Sequence, residues 1–206
     1  KKENNRNNAN MIILGTSGSG KSTAAKLMLR SHIRNGYQIV AIDPEGEISE
    51  MTNMYGGEVI DLGKGGAYGL INPLDIVMDA DEEDIKNGIG YTVLTRTLQF
   101  LKAFMRYYYP DIEEDVLTLF SEVVQDTYHR FEINFESDFT NKTSADFPTF
   151  SDVYATVRGR LTATTDKTHE RDVLERLELK VRPFVRELKY YFDGHTSIPS
   201  NSDFIV

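Results

Sequence analysis

The stretch Gly15-Thr16-Ser17-Gly18-Ser19-Gly20-Lys21-Ser22-Thr23 sets glycines, a lysine and hydroxyls at the spacing that chemistry on a polyphosphate requires. It fits G-x-x-x-x-G-K-[ST] without a mismatch. Glycines let backbone N–H groups turn inward around phosphate oxygens, where a side chain would clash. Lys21 carries the charge that can bridge the terminal phosphates and is the catalytic candidate. Ser22 offers a hydroxyl to Mg²⁺, and Thr23 offers a further phosphate contact. The candidate binding set is therefore Gly15, Thr16, Ser17, Gly18, Ser19, Gly20, Lys21, Ser22 and Thr23, with a nucleoside triphosphate and Mg²⁺ as ligands. The competing explanation, a Gly/Ser turn that merely caps a helix, does not account for the Lys-Ser ending.

Such a loop works only between a strand and a helix. Met11-Ile12-Ile13-Leu14 before it reads as a short buried strand,. The helix after it is expected from Lys21 to about Asn35, with Gly36 as its C-terminal cap, and its positive end points at the bound anion,. Tyr37-Gln38-Ile39-Val40-Ala41-Ile42 is a nearly continuous apolar run, typical of a strand buried in a parallel sheet,. Strand, helix and strand make one right-handed βαβ unit. A helix over about 48–55 and a strand over 58–62 extend it.

Asp43-Pro44-Glu45-Gly46-Glu47 closes the second strand at the sheet edge where α/β folds bind ligands,. Two readings of Asp43 compete. If its strand neighbours the phosphate-loop strand, Asp43 orients the metal's water shell. If another strand lies between, Asp43 sits at the flank and the metal acid is elsewhere.

The glycine-rich stretch 63–75 ends in Asn72-Pro73-Leu74-Asp75 and reads as a crossover between domains,. Beyond it the periodicity turns helical. Asp79, Asp81, Glu82, Glu83 and Asp84 suit a first helical turn, and Ile85, Ile89, Val93, Leu94, Leu98, Leu101, Phe104, Met105 and Tyr108 recur at helical spacing,. Further helices are expected over about 112–131, from Thr149 or Ser151 to about 161, and from Thr168 to Tyr191 with an interruption at Pro183,. Residues 132–147 read as a loop. No convincing strand falls between about 78 and 195, whereas 202–206 returns to strand character. The expected organisation is an α/β core over 1–77, an all-α insertion over 78–195 and a return strand over 196–206.

Composition narrows the function classes. The chain has 206 residues, no cysteine and a formal net charge of −9, which argues against disulfides, thiolate metal sites and a uniformly basic nucleic-acid surface,. No apolar run reaches the roughly 20 residues of a membrane span. Four histidines are scattered without metal-ligand spacing. Tyr107-Tyr108-Tyr109 could stack on bases but is explained as well by packing, and the basic clusters at 158–160 and 180–189 read as solvated helix faces.

Together, Asn8 to Leu14 running into the phosphate loop, Asp43 to Glu47, Ile71-Asn72-Pro73-Leu74-Asp75 and Phe192-Asp193-Gly194 resemble the conjugation and type IV secretion ATPases of the fourth VirB component, in the FtsK/HerA branch of RecA-like motors. The resemblance implies a RecA-like P-loop α/β core, here partial, carrying an inserted all-α domain. It implies ATP and Mg²⁺ as cofactors, ATP hydrolysis in a homo-oligomer with a hexamer among the options, and a cytoplasmic place at the inner face of the cell membrane. Its partners would be other subunits of a secretion or conjugation channel, with DNA or protein as the transported substrate. Asp43 and Glu45 would lie near the nucleotide without being the main catalytic acid. The family's second acidic strand is not found after residue 195, so a fragment with impaired phosphoryl transfer is expected. The alternatives are a small-molecule or nucleoside kinase with a helical lid, and a nucleotide-binding assembly scaffold.

Overall fold

Two helix starts in this chain are set by threonines that satisfy free backbone donors. In the computed structural model, which describes residues 10–66, 69–77, 89–164, 168–197 and 203–206, Thr149 and Asp152 form a reciprocal capping box at the start of one helix, and the Thr168 hydroxyl accepts from the Arg171 N–H at the start of another,. The elements run in the order α1 (Lys21–Arg34), β1 (Ile39–Val40), α2 (Ser49–Met54), α3 (Ile89–Tyr108), α4 (Glu114–Arg130), α5 (Phe150–Ala163), α6 (His169–Val181), α7 (Lys189–Phe192) and β2 (Phe204–Ile205). The acidic run Asp79–Asp84 and Ile85 lie outside the described residues.

The chain divides into two compact units, one of Lys1–Ile60 with Pro199–Val206 and one of Asp61–Ile198. In the first, β1 and β2 pair in parallel, with Ile39 opposite Phe204 and Val40 opposite Ile205. On the far side of β2, Glu58 donates to the Phe204 carbonyl at 2.7 Å and Ile60 to the Val206 carbonyl at 2.6 Å. The 203–206 segment thus lies between the 39–41 and 58–60 segments, the return to strand expected of the chain's end. Ile39, Thr52 and Phe204 are buried between these segments.

Two sequence expectations need correction here. Met11–Leu14 makes no strand ladder, and Ile12 and Leu14 are 82% and 88% exposed. The 37–42 run is a strand only at Ile39–Val40, with Val40 and Ile42 on the surface. An apolar run becomes a buried strand only when neighbours pair both its edges and cover its faces. Among the described residues, the 39–41 segment is paired along one edge and Met11–Leu14 along neither.

The second unit is a helical bundle with a continuous apolar core. Periodic residues of α3 to α6, including Leu101, Met105, Val116, Phe120, Val124, Val153, Val157, Leu174 and Leu177, are buried together,. Phe184 stacks on Phe150 at 4.5 Å between ring centroids and meets Phe104, Tyr108 and Phe192 at 5.1–6.1 Å. Burying such a side chain contributes roughly 1.5–3 kcal/mol, and each aromatic pair roughly 0.5–1.5 more. Pro183 ends α6 and starts a 3₁₀ turn over Arg182–Val185, as its missing N–H requires,. The 132–147 loop is pinned by the buried side chains of Ile133, Phe139 and Phe147.

A polar clasp joins the leading and closing segments of this helical unit. Asp75 accepts from Asn72 Nδ2 at 2.8 Å, Ser144 Oγ at 3.0 Å and Thr196 Oγ1 at 2.5 Å. Asn72 also donates to the Pro148 carbonyl at 2.9 Å and accepts the Leu74 N–H at 3.1 Å, and its own N–H reaches Thr196 Oγ1 at 2.9 Å. Asp193 takes both the N–H and the hydroxyl of Ser151 at 2.7 Å. With Asn72 buried, every donor and acceptor of its amide that the geometry can reach is used, as burial demands,.

Candidate phosphate-binding site

The loop before α1 turns on two left-handed glycines, Gly18 at φ 76° and Gly20 at φ 88°. Any L side chain would be strained there, by about 1–2 kcal/mol each. Ser19 donates its N–H to the Thr16 carbonyl at 3.2 Å, closing a turn, and Lys21 Nζ donates to the same carbonyl at 2.8 Å. The lysine thus lies folded over the loop it would serve.

The start of α1 is built for an anion. Gly20 occupies the N-cap position without a side-chain cap, and no acid sits in the first turn. The opening N–H groups of any helix lack intrahelical partners, and here neither a capping oxygen nor a carboxylate takes them. Every residue from Gly15 to Gly20 is exposed, as are Ser22 and Thr23. An uncapped helix start behind left-handed glycines and a lysine fits a polyphosphate. Ser22 lies in the same turn, where a Mg²⁺ riding on the phosphates would meet its hydroxyl. Among the described residues, no three His, Asp or Glu side chains form a metal cluster.

Asp43 has another task. Its Oδ2 accepts the Ile48 N–H at 2.6 Å, just ahead of α2, and the Asp43 carbonyl accepts the Gly46 N–H at 3.3 Å across the Pro44-Glu45 turn,. Pro44 at the second turn position and a left-handed Gly46 (φ 71°) suit that geometry,. Glu45 is exposed on the same turn. The structure therefore brings Gly15–Thr23 into one turn and helix start, and it ties Asp43 to the backbone of the segment leading into α2.

Next to the loop, Thr23, Lys26, Leu27 and Arg30 of α1 face Glu47, Glu50, Met51, Met54 and Tyr55 across a groove of about 430 Å³. Of these residues, Thr23 and Glu47 fall in stretches whose chemistry is legible in the sequence. The shared face of the α1 residues follows from their 23, 26/27, 30 spacing.

In the helical unit several arginines of the basic clusters are engaged by acids. Arg160 pairs with Asp126 and Arg182 with the buried Glu178, to which Tyr154 also donates at 2.5 Å. Burial pushes the Glu178 carboxyl up, but the bonds from Arg182 and Tyr154 outweigh it and hold the group below the usual glutamate range,. Tyr109 donates to the Lys180 carbonyl at 2.9 Å and Tyr108 packs on Phe184, so packing explains both rings, while Tyr107 is exposed.

A glycine-rich, lysine-bearing turn opening a helix, beside a parallel strand pair and with an all-helical unit in the same chain, is the arrangement expected of a P-loop nucleotide-binding protein. The chain belongs to the family described as the central domain of helicase HerA, whose profile matches residues 8–191. This is a family of P-loop ATPases in the FtsK/HerA branch. Among solved structures, the chain is similar to VirB4 of Thermoanaerobacter pseudethanolicus, with a TM-score of 0.78 and 24% identity over 93% of this chain and 47% of that one. That likeness establishes a RecA-like P-loop fold, and this chain spans about half the length of the VirB4 chain. No curated protein matches. Among the described residues, no helix is long and apolar enough to cross a membrane.

Proposed function

We propose that the chain belongs to the ATP-binding and ATP-hydrolysing motor subunit of a conjugative DNA-transfer or type IV secretion machine, a subunit that acts as a homo-oligomer at the inner face of the cell membrane. The observation that carries the reading is the uncapped, acid-free start of α1 behind left-handed Gly18 and Gly20, with Lys21 folded over the loop. The family membership and the VirB4-like fold support it.

In this reading the backbone from Gly15 to Gly20 wraps the phosphates and Thr23 adds a hydroxyl. Lys21 leaves the Thr16 carbonyl to neutralise charge on the β- and γ-phosphates. Ser22 holds Mg²⁺, which when bound neutralises charge developing on the transferred phosphoryl group. Asp43 and Glu45 shape the neighbouring turn without serving as the principal acid. Against a kinase, β1 forms no ladder with Met11–Leu14 among the described residues. The helical unit acts as an insertion in the α/β core, a docking body for other channel subunits.

Cells carrying Lys21→Ala test this reading. Transfer of DNA or protein through the machine falls at least about 100-fold, the order of loss expected when one charge-stabilising group is removed. Transfer at the unmodified level overturns the proposal.

A further inference from the structure

We propose that the outward face of α3 is a docking surface for an acidic amphipathic helix of a partner subunit. The inference rests on the reading of the helical unit as a docking body and takes nothing from the nucleotide site. Along its 20 residues α3 carries Arg96, Lys102 and Arg106 and neither aspartate nor glutamate, in a chain whose net charge is −9. Arg96, Gln99, Phe100, Ala103, Arg106 and Tyr107 are all exposed, and steps of three or four residues set them in one stripe,. Phe100 is 54% exposed and Tyr107 82%, while Leu101 and Met105 of the same helix are buried in the core.

The two exposed rings are braced from behind. Phe100 meets Phe104 at 6.2 Å and Tyr107 meets Tyr108 edge-on at 5.8 Å, and Phe104 and Tyr108 both meet the buried Phe184. The aromatic core thus continues to the surface, and rings held in this way lose little freedom when a partner covers them. Ala103 lies between them, about one helical turn from each. A small residue flanked by two rings makes a hole for one side chain of a crossing helix, whose neighbours a turn away fall on the rings. The charges define the flank of that helix. Arg106 pairs with Glu114, yet its side chain stays 53% exposed, so a second carboxylate can reach its other N–H groups,. A partner with acids beside its apolar stripe meets attraction along α3, and a basic one meets repulsion. Single-stranded nucleic acid also pairs with rings and cations, but it stacks successive bases inside a basic groove. Phe100 and Tyr107 stand about 10 Å apart on the outside of one helix, the spacing of i and i+7 anchors.

The test places the photo-cross-linker p-benzoylphenylalanine at Tyr107 of the full-length protein, in cells running the transfer machine, and sequences the cross-linked peptide by mass spectrometry. The expected adduct is a partner-subunit segment with apolar residues at i, i+3 or i+4, and i+7, flanked by Asp or Glu. No adduct, or an adduct to nucleic acid, to a second copy of this chain or to a segment without that pattern, overturns the proposal. A second probe at Leu179, which is exposed on α6, separates the two levels of the reading. Partner adducts from Leu179 alone sink the α3 surface and leave the docking body standing, whereas none from either position sinks both. The charge is read at exposed Gln99, where a substitution removes no core contact. Gln99→Glu should lower the Tyr107 adduct yield about fivefold, and Gln99→Lys should keep it within about twofold, with circular dichroism unchanged in both. Equal yields in the two variants overturn the acidic partner.

Discussion

The α/β unit and the helical unit solve opposite problems. The helical unit gathers most of its described large apolar side chains into one core, with Phe120, Phe150, Phe184, Leu174 and Leu177 at 0% exposure. The α/β unit leaves Met11, Ile12, Leu14, Val40 and Ile42 at the surface, and its described buried side chains are few. Among the described residues, the candidate phosphate loop lies in the thin unit and the continuous core in the dense one. The geometry of that loop is set by local turns, left-handed glycines and a helix start, all satisfied within a dozen residues.

The contrast can be broken most forcefully at Phe184. Phe184→Ala removes a fully buried ring stacked on Phe150, and should destabilise the helical unit by about 3–5 kcal/mol,. Ile12→Ser, at an 82% exposed position, should change stability by no more than about 0.5 kcal/mol,. Denaturant melts of both variants measure the pair, and a large loss at Ile12 would show that the α/β unit hides a core of its own.

Asp75→Ala comes next. It strands the Asn72, Ser144 and Thr196 donors, and should cost about 2–3 kcal/mol, with Asp75→Asn milder because it keeps an acceptor,. Amide exchange in the 70–77 and 193–197 segments should rise together. Exchange rising in only one of them would show that the clasp does not couple them.

A smaller effect concerns pH. The folded-state pKa of Glu178 lies below its unfolded value, so its contribution is complete above the ordinary glutamate pKa of about 4.3 and is lost as pH falls through the lower folded value,. The stability difference between the unmodified protein and Glu178→Gln should therefore be present at neutral pH and shrink below about pH 4. A difference that does not depend on pH would mean that the carboxylate charge plays no part.

Much of this arrangement is legible in the sequence because its causes are local. The Gly-x-Gly-Lys-Ser spacing, the threonines that cap α5 and α6, the break at Pro183 and the return to strand at Phe204 all act within a few residues. The Asn72–Asp75 clasp is different. Its partners lie about 70 to 120 residues away in Ser144, Pro148 and Thr196, and hydrogen bonds at that separation leave no periodicity to read. Met11–Leu14 misleads for the reverse reason. Its apolar run satisfies the local rule for a buried strand, but burial depends on neighbours that a local pattern does not specify. For Asp43 the sequence leaves two readings open, because a strand ending in Asp has the meaning of a metal acid only beside the right neighbour; the structure adds the bond from the nearby Ile48 N–H.

The central claim is that the turn at Gly15–Thr23 binds the phosphates of a nucleotide through Lys21 and the open start of α1. Titration calorimetry of Mg·ATP against the unmodified chain and Lys21→Ala tests it most directly. Binding that is measurable in the first and at least about tenfold weaker in the second, with unchanged circular dichroism, is the predicted result. Equal affinity in the two proteins would contradict it.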